Sequence, residues 1–152
     1  MTQDPRPDPA LIRVGEACLA RRIRQASRLL TSIYEEALSS HGLKASQFSI
    51  LIAVGSLGEA TPAQLMHGLD LEKSTVSRGA DRLAAAGWLD RGPAPEGRGV
   101  AYRLTAAGRA KVEAALPDWR KAQARAKRRI GSEGASALAR VVQGLRGGEA
   151  SD

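Results

Sequence analysis

The sequence of 152 residues contains a single cysteine and few aromatic side chains. The lone Cys18 excludes an intrachain disulfide framework and suits a reducing compartment. Aromatic residues make up only 3% of the chain, which argues against a protein that stacks single-stranded bases on aromatic platforms. No uninterrupted apolar run approaches the length of a membrane span, and the N-terminus has no basic segment followed by an apolar one. We therefore expect a cytoplasmic protein without a membrane partner.

Sequence motifs of catalysis and of metal binding are missing as well. The chain has no phosphate-cradling glycine loop followed by Lys and Ser or Thr, no His-Glu-x-x-His and no nucleophile elbow. Its two histidines, His41 and His67, have no ligand partner at metal spacing. The sequence thus predicts that the protein is not an enzyme and has no cofactor or metal site.

Basic residues are in excess over acidic ones. The chain has 23 Lys and Arg against 16 Asp and Glu, and its formal net charge of +7 favours a polyanionic partner. With 43% hydrophobic residues, a chain of this length builds one modest domain whose apolar surface is expected to need a partner subunit.

The middle of the chain has the pattern of two short helices joined by a tight turn. Thr61, Pro62 and Gln64 mark a helix start, because threonine caps a helix, proline suits its first position and glutamine bonds back to the cap. A three-residue turn, 70–72, leads into a second helix, which Gly87 ends by adopting the left-handed conformation. Two helices joined by so short a link cross steeply, as in a helix-turn-helix.

The second of these helices separates apolar from polar residues. Val76, Ala80 and Leu83 recur at spacings of four and three and form its buried stripe. Hydroxyls and arginines on the other side suit close approach to DNA, because hydroxyls reach phosphates and arginine bonds guanine with two hydrogen bonds. The alternative is an ordinary solvated face, although such faces more often carry Glu-to-Lys pairs four apart. The residues on this side are Ser74, Thr75, Ser77, Arg78, Asp81 and Arg82.

A β-hairpin is predicted next. Residues 88–91 and 100–104 alternate apolar with polar side chains, and the loop between them is rich in glycine and proline. Arg98 stands at the tip of this loop, and an arginine flanked by glycines on a protruding loop suits entry into a narrow minor groove. Arg91 and Arg103 lie on the two strands. The hairpin is interpreted as a DNA-binding wing, with a solubilising surface charge as the alternative for Arg98.

An ordered set of motifs runs through this region: Ser46-Gln47-Phe48, Thr75-Val76-Ser77-Arg78, Asp81-Arg82-Leu83, Gly87-Trp88-Leu89, Arg91, the wing arginine and Leu104-Thr105-Ala106-Ala107-Gly108. Together they resemble the MarR family of bacterial transcription regulators, over roughly residues 16–146. The resemblance implies a mainly α fold with a small β-hairpin wing, that is, a six-helix winged helix-turn-helix that dimerises through its first and last helices. Residues 96–98 read Glu-Gly-Arg where the family usually has Asp-x-Arg. Gly79 replaces a usual apolar residue, and glycine inside a helix costs about 1 kcal/mol relative to alanine.

Both ends of the chain carry helical apolar stripes that predict dimerisation. Asp8 and Pro9 start a helix that Gly15 is expected to interrupt, and residues 16–40 are strongly helical. Ser132 caps a last helix with a second stripe. Since terminal helices flanking a winged domain have little of it left to cover, pairing with a second copy is more economical than packing within the subunit. The residues expected at this interface are Leu11, Leu19, Ile23, Leu138, Val141, Val142 and Leu145.

The domain organisation follows from these assignments. We expect a single domain over residues 8–146, a DNA-binding core at about residues 43–108, and disordered tails at residues 1–7 and 147–152.

A long helix is expected between the wing and the last helix, over residues 105–130. Pro117 lies inside it and predicts a bend or break, because proline removes a backbone donor. The basic segment 120–129 is interpreted as a solvated helical face, with a supplementary phosphate contact as the alternative.

Cys18 and three aromatic residues are candidates for sensing a signal. Arg21 and Arg22 follow Cys18 by one helical turn, and nearby positive charge favours a thiolate. The alternative is that Cys18 is a small, semi-buried helical residue. The family resemblance also implies a small, often aromatic effector bound between the dimer helices and the winged domain. The side chains expected to line such a pocket, or else to belong to the plain core, are Tyr34, Phe48 and Trp119.

These observations predict a transcriptional regulator that binds double-stranded DNA sequence-specifically, as a ligand-responsive, homodimeric repressor on a palindromic operator. Two alternatives stay open: a redox-sensing regulator of the same fold that uses Cys18, and a winged-helix module that binds an acidic protein with the same surface. The residues expected to contact DNA are Thr61, Lys73, Ser74, Thr75, Ser77, Arg78, Arg82, Arg91 and Arg98.

Overall fold

The structure, a computed structural model, describes residues 6–95 and 97–147. The outer parts of both predicted tails, residues 1–5 and 148–152, lie outside the described residues. The chain divides into two units at residue 33, inside the second helix.

The described residues contain six helices and three short strands. In chain order they are α1 (Pro9–Ala17), α2 (Leu19–Ser39), α3 (Ala45–Leu57), β1 (Glu59–Ala60), α4 (Pro62–Leu69), α5 (Lys73–Ala85), β2 (Leu89–Pro93), β3 (Val100–Leu104) and α6 (Ala106–Gly147). This architecture confirms the predicted fold class, a mainly α chain with a small β wing.

The N-terminal unit contains α1 and the start of α2. Asp8 caps α1 as predicted, since its carboxylate accepts a hydrogen bond from the backbone N of Ala10 at 2.8 Å. The predicted interruption at Gly15 is wrong. Gly15 stays helical, and the chain leaves the helix at Cys18, whose backbone angles are extended (φ −67°, ψ 106°).

Two arginines of α2 stabilise this junction. The guanidinium groups of Arg21 and Arg22 donate to the carbonyl oxygens of Gly15 and Glu16 at 2.9 and 3.1 Å. The last carbonyls of a helix have no helical donor, so these two hydrogen bonds cap the end of α1. Both arginines, whose charges were predicted to favour a thiolate at Cys18, are therefore hydrogen-bonded to the end of α1.

The wing is a three-stranded antiparallel sheet in the order β1-β3-β2. β2 and β3 form the predicted hairpin, in which Arg91 lies opposite Tyr102. β1 is an addition that the sequence does not predict, because two residues are too few to show an alternating pattern. It pairs Glu59 with Arg103 of β3, and the two side chains form an ion pair.

The core forms where α3 meets the two helices of the helix-turn-helix. From α3, Phe48 and Leu51 are buried. From α5, the predicted stripe of Val76, Ala80 and Leu83 is fully buried, which confirms the periodicity argument. Because truncating such a buried leucine to alanine costs about 2–5 kcal/mol, this stripe orients α5 firmly.

The helix α6 contains Pro117 without a break. Pro117 and Glu113 are both exposed, so the carbonyl that the proline leaves without a helical donor lies on the solvent side of the helix. Of the predicted bend or break at Pro117, the break is wrong, because the helix continues through this residue. The helix is interrupted at Gly131 instead, whose angles (φ 70°, ψ 170°) are accessible to glycine alone.

Candidate nucleic-acid interface

The helix-turn-helix has the local geometry that its sequence predicts. Thr61 Oγ1 accepts a hydrogen bond from Gln64 N at 3.3 Å, and Thr61 N donates to Gln64 Oε1 at 2.9 Å, a reciprocal capping box. At the other end of α4, Asp70 adopts the left-handed conformation (φ 50°). The backbone N–H groups of Asp70 and Leu71 both donate to the carbonyl of Met66, which closes the turn into α5.

The polar face of α5 is open to solvent. Its buried stripe faces the core, so the remaining positions point away from it. Ser77 is half-buried and Asp81 is exposed on this face. Gly87 ends the helix region in a left-handed conformation (φ 76°), as predicted. The exposed residues of α5 that were predicted to contact DNA are Lys73, Ser74, Thr75, Arg78 and Arg82.

The start of α3 lies beside this face. A groove of about 370 Å³ is lined by residues of both helices, including Lys44 and Ser46 from the α3 side and Arg78 and Arg82 from α5. The helices approach closely at Gly79, where a Cβ would lie 2.6 Å from Cδ1 of Ile50.

Sequence reasoning missed the α3 side of this groove. Lys44, Ser46 and Gln47 were not predicted to contact DNA, although Ser46 and Gln47 were noted as part of a family motif. Only the packing of α3 on α5 brings Lys44 beside two arginines. Three cationic side chains around one polar groove make a surface suited to phosphate.

The wing brings a second set of predicted residues together. Thr61, Gln64 and Arg98 line a groove of about 460 Å³ between the start of α4 and the wing loop. Arg98 is exposed. Glu96, the residue that departs from the family pattern, lies outside the described residues. Arg103 forms an ion pair with Glu59 of the neighbouring strand, so its guanidinium lies along the sheet.

A buried hydroxyl connects the wing to α5. Tyr102 of β3 is 2% exposed, and its Oη donates to Asp81 Oδ1 at 3.3 Å. Burial, followed by the charge of Asp81, raises the pKa of Tyr102, while a hydrogen bond with Arg91 opposes the rise. The phenol therefore stays protonated at neutral pH and remains a donor.

Two of the three predicted pocket residues line one cavity. Phe48 and Trp119 contact each other, with ring centroids 6.3 Å apart, and both border an apolar cavity of about 430 Å³. Tyr34 packs on Trp119 at 6.4 Å but is not a lining residue, and its hydroxyl donates to Gln123 Oε1. The Ser49 hydroxyl at the cavity edge donates to the backbone of its own helix. The remaining lining residues are Ile52, Ala53, Leu69 and Leu116.

The predicted dimerisation residues all lie on the surface of the single chain. Leu11 and Leu19 are 70% and 71% exposed, and in the last segment of α6 Leu138 and Leu145 are 46% and 67% exposed. The other three, Ile23, Val141 and Val142, are also exposed. Each of these apolar residues stays at least 41% exposed in the part of the chain that the structure describes.

Lys121 and Arg125 of α6 form ion pairs with acidic side chains, and His41 contacts the same acid as Lys121. His41 Nε2 lies 2.9 Å from Asp118 Oδ2, and Lys121 Nζ donates to Asp118 Oδ1 at 2.8 Å. The hydrogen bond from Lys121, and then that from His41, holds the pKa of Asp118 below its ordinary value. In the basic segment, Arg125 also donates to Glu36 Oε2 at 2.7 Å.

Within residues 6–95 and 97–147, no group of three His, Cys, Asp or Glu side chains is arranged to bind a metal ion. None of the helices described in the structure is long and apolar enough to cross a membrane. His67 lies exposed on α4, and Cys18 is partly buried and unpaired with another cysteine.

Comparison with known proteins gives consistent sequence matches. A family model described as "MarR family" matches residues 41–98. The multiple antibiotic resistance protein MarR of Escherichia coli (strain K12) is 32% identical over 96 residues, which are 62% of this chain and 67% of MarR. The uncharacterized HTH-type transcriptional regulator YwoH of Bacillus subtilis is 32% identical over 95 residues, which are 62% of this chain and 69% of YwoH.

Solved structures share the fold over most of the chain. A mutant of E. coli MarR complexed with operator DNA aligns with a TM-score of 0.77 at 24% identity, covering 87% of this chain and 96% of the other. BpsR of Bordetella bronchiseptica, whose DNA binding is regulated by 6-hydroxynicotinic acid, aligns with a TM-score of 0.76 at 21% identity, covering 86% and 94%. The structural likeness shows the fold, and the sequence relatives show the family. This chain belongs to the MarR family of transcriptional regulators, as its motifs predicted, and it is not an enzyme.

Proposed function

We propose that the chain is a homodimer that binds a palindromic operator sequence-specifically and represses transcription until a small molecule releases it. The observation that carries this proposal is the exposed face of α5, where hydroxyls lie beside Arg78 and Arg82 while the apolar stripe is buried. The fold is shared with MarR of E. coli, whose mutant was solved with operator DNA. As a regulator of transcription, the protein would act in the cytoplasm.

Each element has a distinct task on DNA. α5 enters the major groove, where Arg78 reads a base edge. The groove between α3 and α5 takes a backbone phosphate, because Lys44 and Arg82 supply charge there. Arg98 enters the neighbouring minor groove from the wing, beside the start of α4.

The homodimer follows from the uncovered apolar side chains at both ends of the chain. Exposed leucines and valines on α1, α2 and the last segment of α6 would be covered by a second copy. Two symmetric α5 helices then enter successive major grooves, so half-site centres lie about 10 base pairs apart.

The test selects bound fragments from random duplex DNA and then measures variants on the selected site. We expect a palindrome to be enriched. Arg78→Ala should weaken binding by about 1–3 kcal/mol and relax the preference at one position per half-site. Arg98→Ala should weaken binding and flatten its dependence on salt, because fewer counterions are released. Arg109→Ala, an exposed arginine outside both grooves, is the control.

Two results would overturn the proposal. Absence of any enriched sequence would favour the protein-interaction module instead. A footprint that Arg78→Ala leaves unchanged would remove α5 from the DNA contact.

The cavity beside Phe48 and Trp119 is the proposed effector site. Its lining has no charged side chain, and the Ser49 hydroxyl is already bonded to Ala45, so it suits an uncharged, aromatic or apolar molecule. BpsR, which has the same fold, is regulated by an aromatic acid, 6-hydroxynicotinic acid, but the lining of the present cavity has no cation to pair with a carboxylate. Indole should therefore release operator DNA more effectively than benzoate. Ala53→Phe, which fills the cavity, should abolish this response and leave DNA binding intact; equal release by both compounds would contradict the assignment.

A further inference from the structure

The hydroxyl of Tyr102 stands at the meeting point of three elements that the proposed DNA contact uses. Tyr102 belongs to β3, its direct neighbour across the sheet is Arg91 of β2, and its hydrogen-bond acceptor is Asp81 of α5. The ring is buried in the core, so the position of the hydroxyl is set by packing.

Asp81 lies on the polar face of α5, three residues after Arg78 and next to Arg82. A carboxylate on this face would repel DNA phosphate if it were free to swing outward. The Tyr102 hydroxyl holds one of its oxygens toward the sheet. The guanidinium of Arg91, which also acts on the hydroxyl, adds positive charge at the same point.

We propose that Tyr102 is a positioning residue, which couples the wing to α5 through Asp81 so that Arg98 and Arg78 reach DNA together. The inference rests on the proposed function, because it assigns a role within that DNA contact. The apolar core holds the Tyr102 ring against α5, but without the hydroxyl contact the wing would keep freedom to shift relative to Asp81, and DNA binding would have to remove that freedom. A side-chain link made before binding reduces that entropic cost.

The link itself can be tested on the free protein. Tyr102→Phe keeps the buried ring and removes the hydroxyl, so the fold is retained. Amide hydrogen exchange in β2 and β3 should then rise about five- to tenfold, the equilibrium effect of one lost hydrogen bond. Tyr34→Phe is the matched control: it also loses one hydroxyl hydrogen bond, to Gln123 on α6, and should leave wing exchange unchanged. Unchanged exchange in Tyr102→Phe would overturn the proposal.

The effect of the Tyr102–Asp81 contact on DNA binding is tested by a double-mutant cycle with Arg98→Ala on the selected operator. Tyr102→Phe should weaken binding about five- to tenfold, and Arg98→Ala should cost a smaller factor in the Tyr102→Phe background than in wild type. Equal factors in both backgrounds would mean that the hydroxyl only stabilises the fold, which contradicts a positioning role. If wild-type protein selects no operator, the proposed function fails, and amide exchange then decides by itself whether Tyr102 holds the wing.

Discussion

Leu138 offers a direct test of the dimer, because it lies on the exposed stripe of the last helical segment. Its side chain is 46% exposed in the single chain, so a second copy would cover about half of it. Complete burial of a leucine contributes about 1.5–3 kcal/mol, so covering this half contributes about 1 kcal/mol per copy. By symmetry, Leu138→Glu removes about 2 kcal/mol from the dimer.

The introduced carboxylate adds a second and larger effect. Removing an unpaired charge from water costs several kcal/mol, and both copies carry one at the interface. The loss of apolar cover alone raises the dimer dissociation constant about 30-fold, and desolvation raises it further. The monomer should keep its fold, because Leu138 does not belong to the buried core.

Sedimentation equilibrium over a range of protein concentrations measures this shift. Gln143→Glu is the control, since it adds the same charge at an exposed position on the opposite side of the same helical segment. Circular dichroism checks that both variants are folded. If Leu138→Glu dimerises as tightly as Gln143→Glu and binds the palindrome like wild type, the C-terminal helix is not the interface and the reasoning is refuted.

Two further predictions concern stability. Gly108→Ala should lower the free energy of unfolding in urea by about 1–3 kcal/mol, because the added Cβ would meet the main-chain carbonyl of Trp88. Gly144 has open space around it, so Gly144→Ala should be neutral or raise the free energy of unfolding by up to about 1 kcal/mol. Asp118→Asn should lose the stabilisation that Lys121 and His41 give the carboxylate. Because the pKa of Asp118 is held below its ordinary value, the difference in free energy of unfolding from wild type should be present above about pH 4 and should fade as the pH falls further. A difference that persists unchanged in acid would show that the pairs are not what the substitution removes.

The sequence alone determines the local structure of several segments of this protein. The capping box at Thr61, the left-handed Gly87 and the fully buried stripe of α5 all follow from neighbours a few residues apart in the chain. The hydrogen bonds and the helical periodicity that produce them are complete within a few helical turns, so the sequence predicts them before any packing is known. The exposed polar face of α5, the centre of the candidate site, follows for the same reason.

The tertiary structure decided what depends on distant partners. β1 exists because β3 supplies its hydrogen bonds, and Gly79, which costs helix propensity, leaves room for Ile50 where α5 approaches α3. Lys44 joins the candidate site through the same approach. Tyr102, which the strand pattern marks only as part of the hairpin, acquires its contact with Asp81 when the sheet packs on α5. Local propensity contains no information about which residues from elsewhere in the chain will lie within hydrogen-bond distance, and that is why these features required the fold.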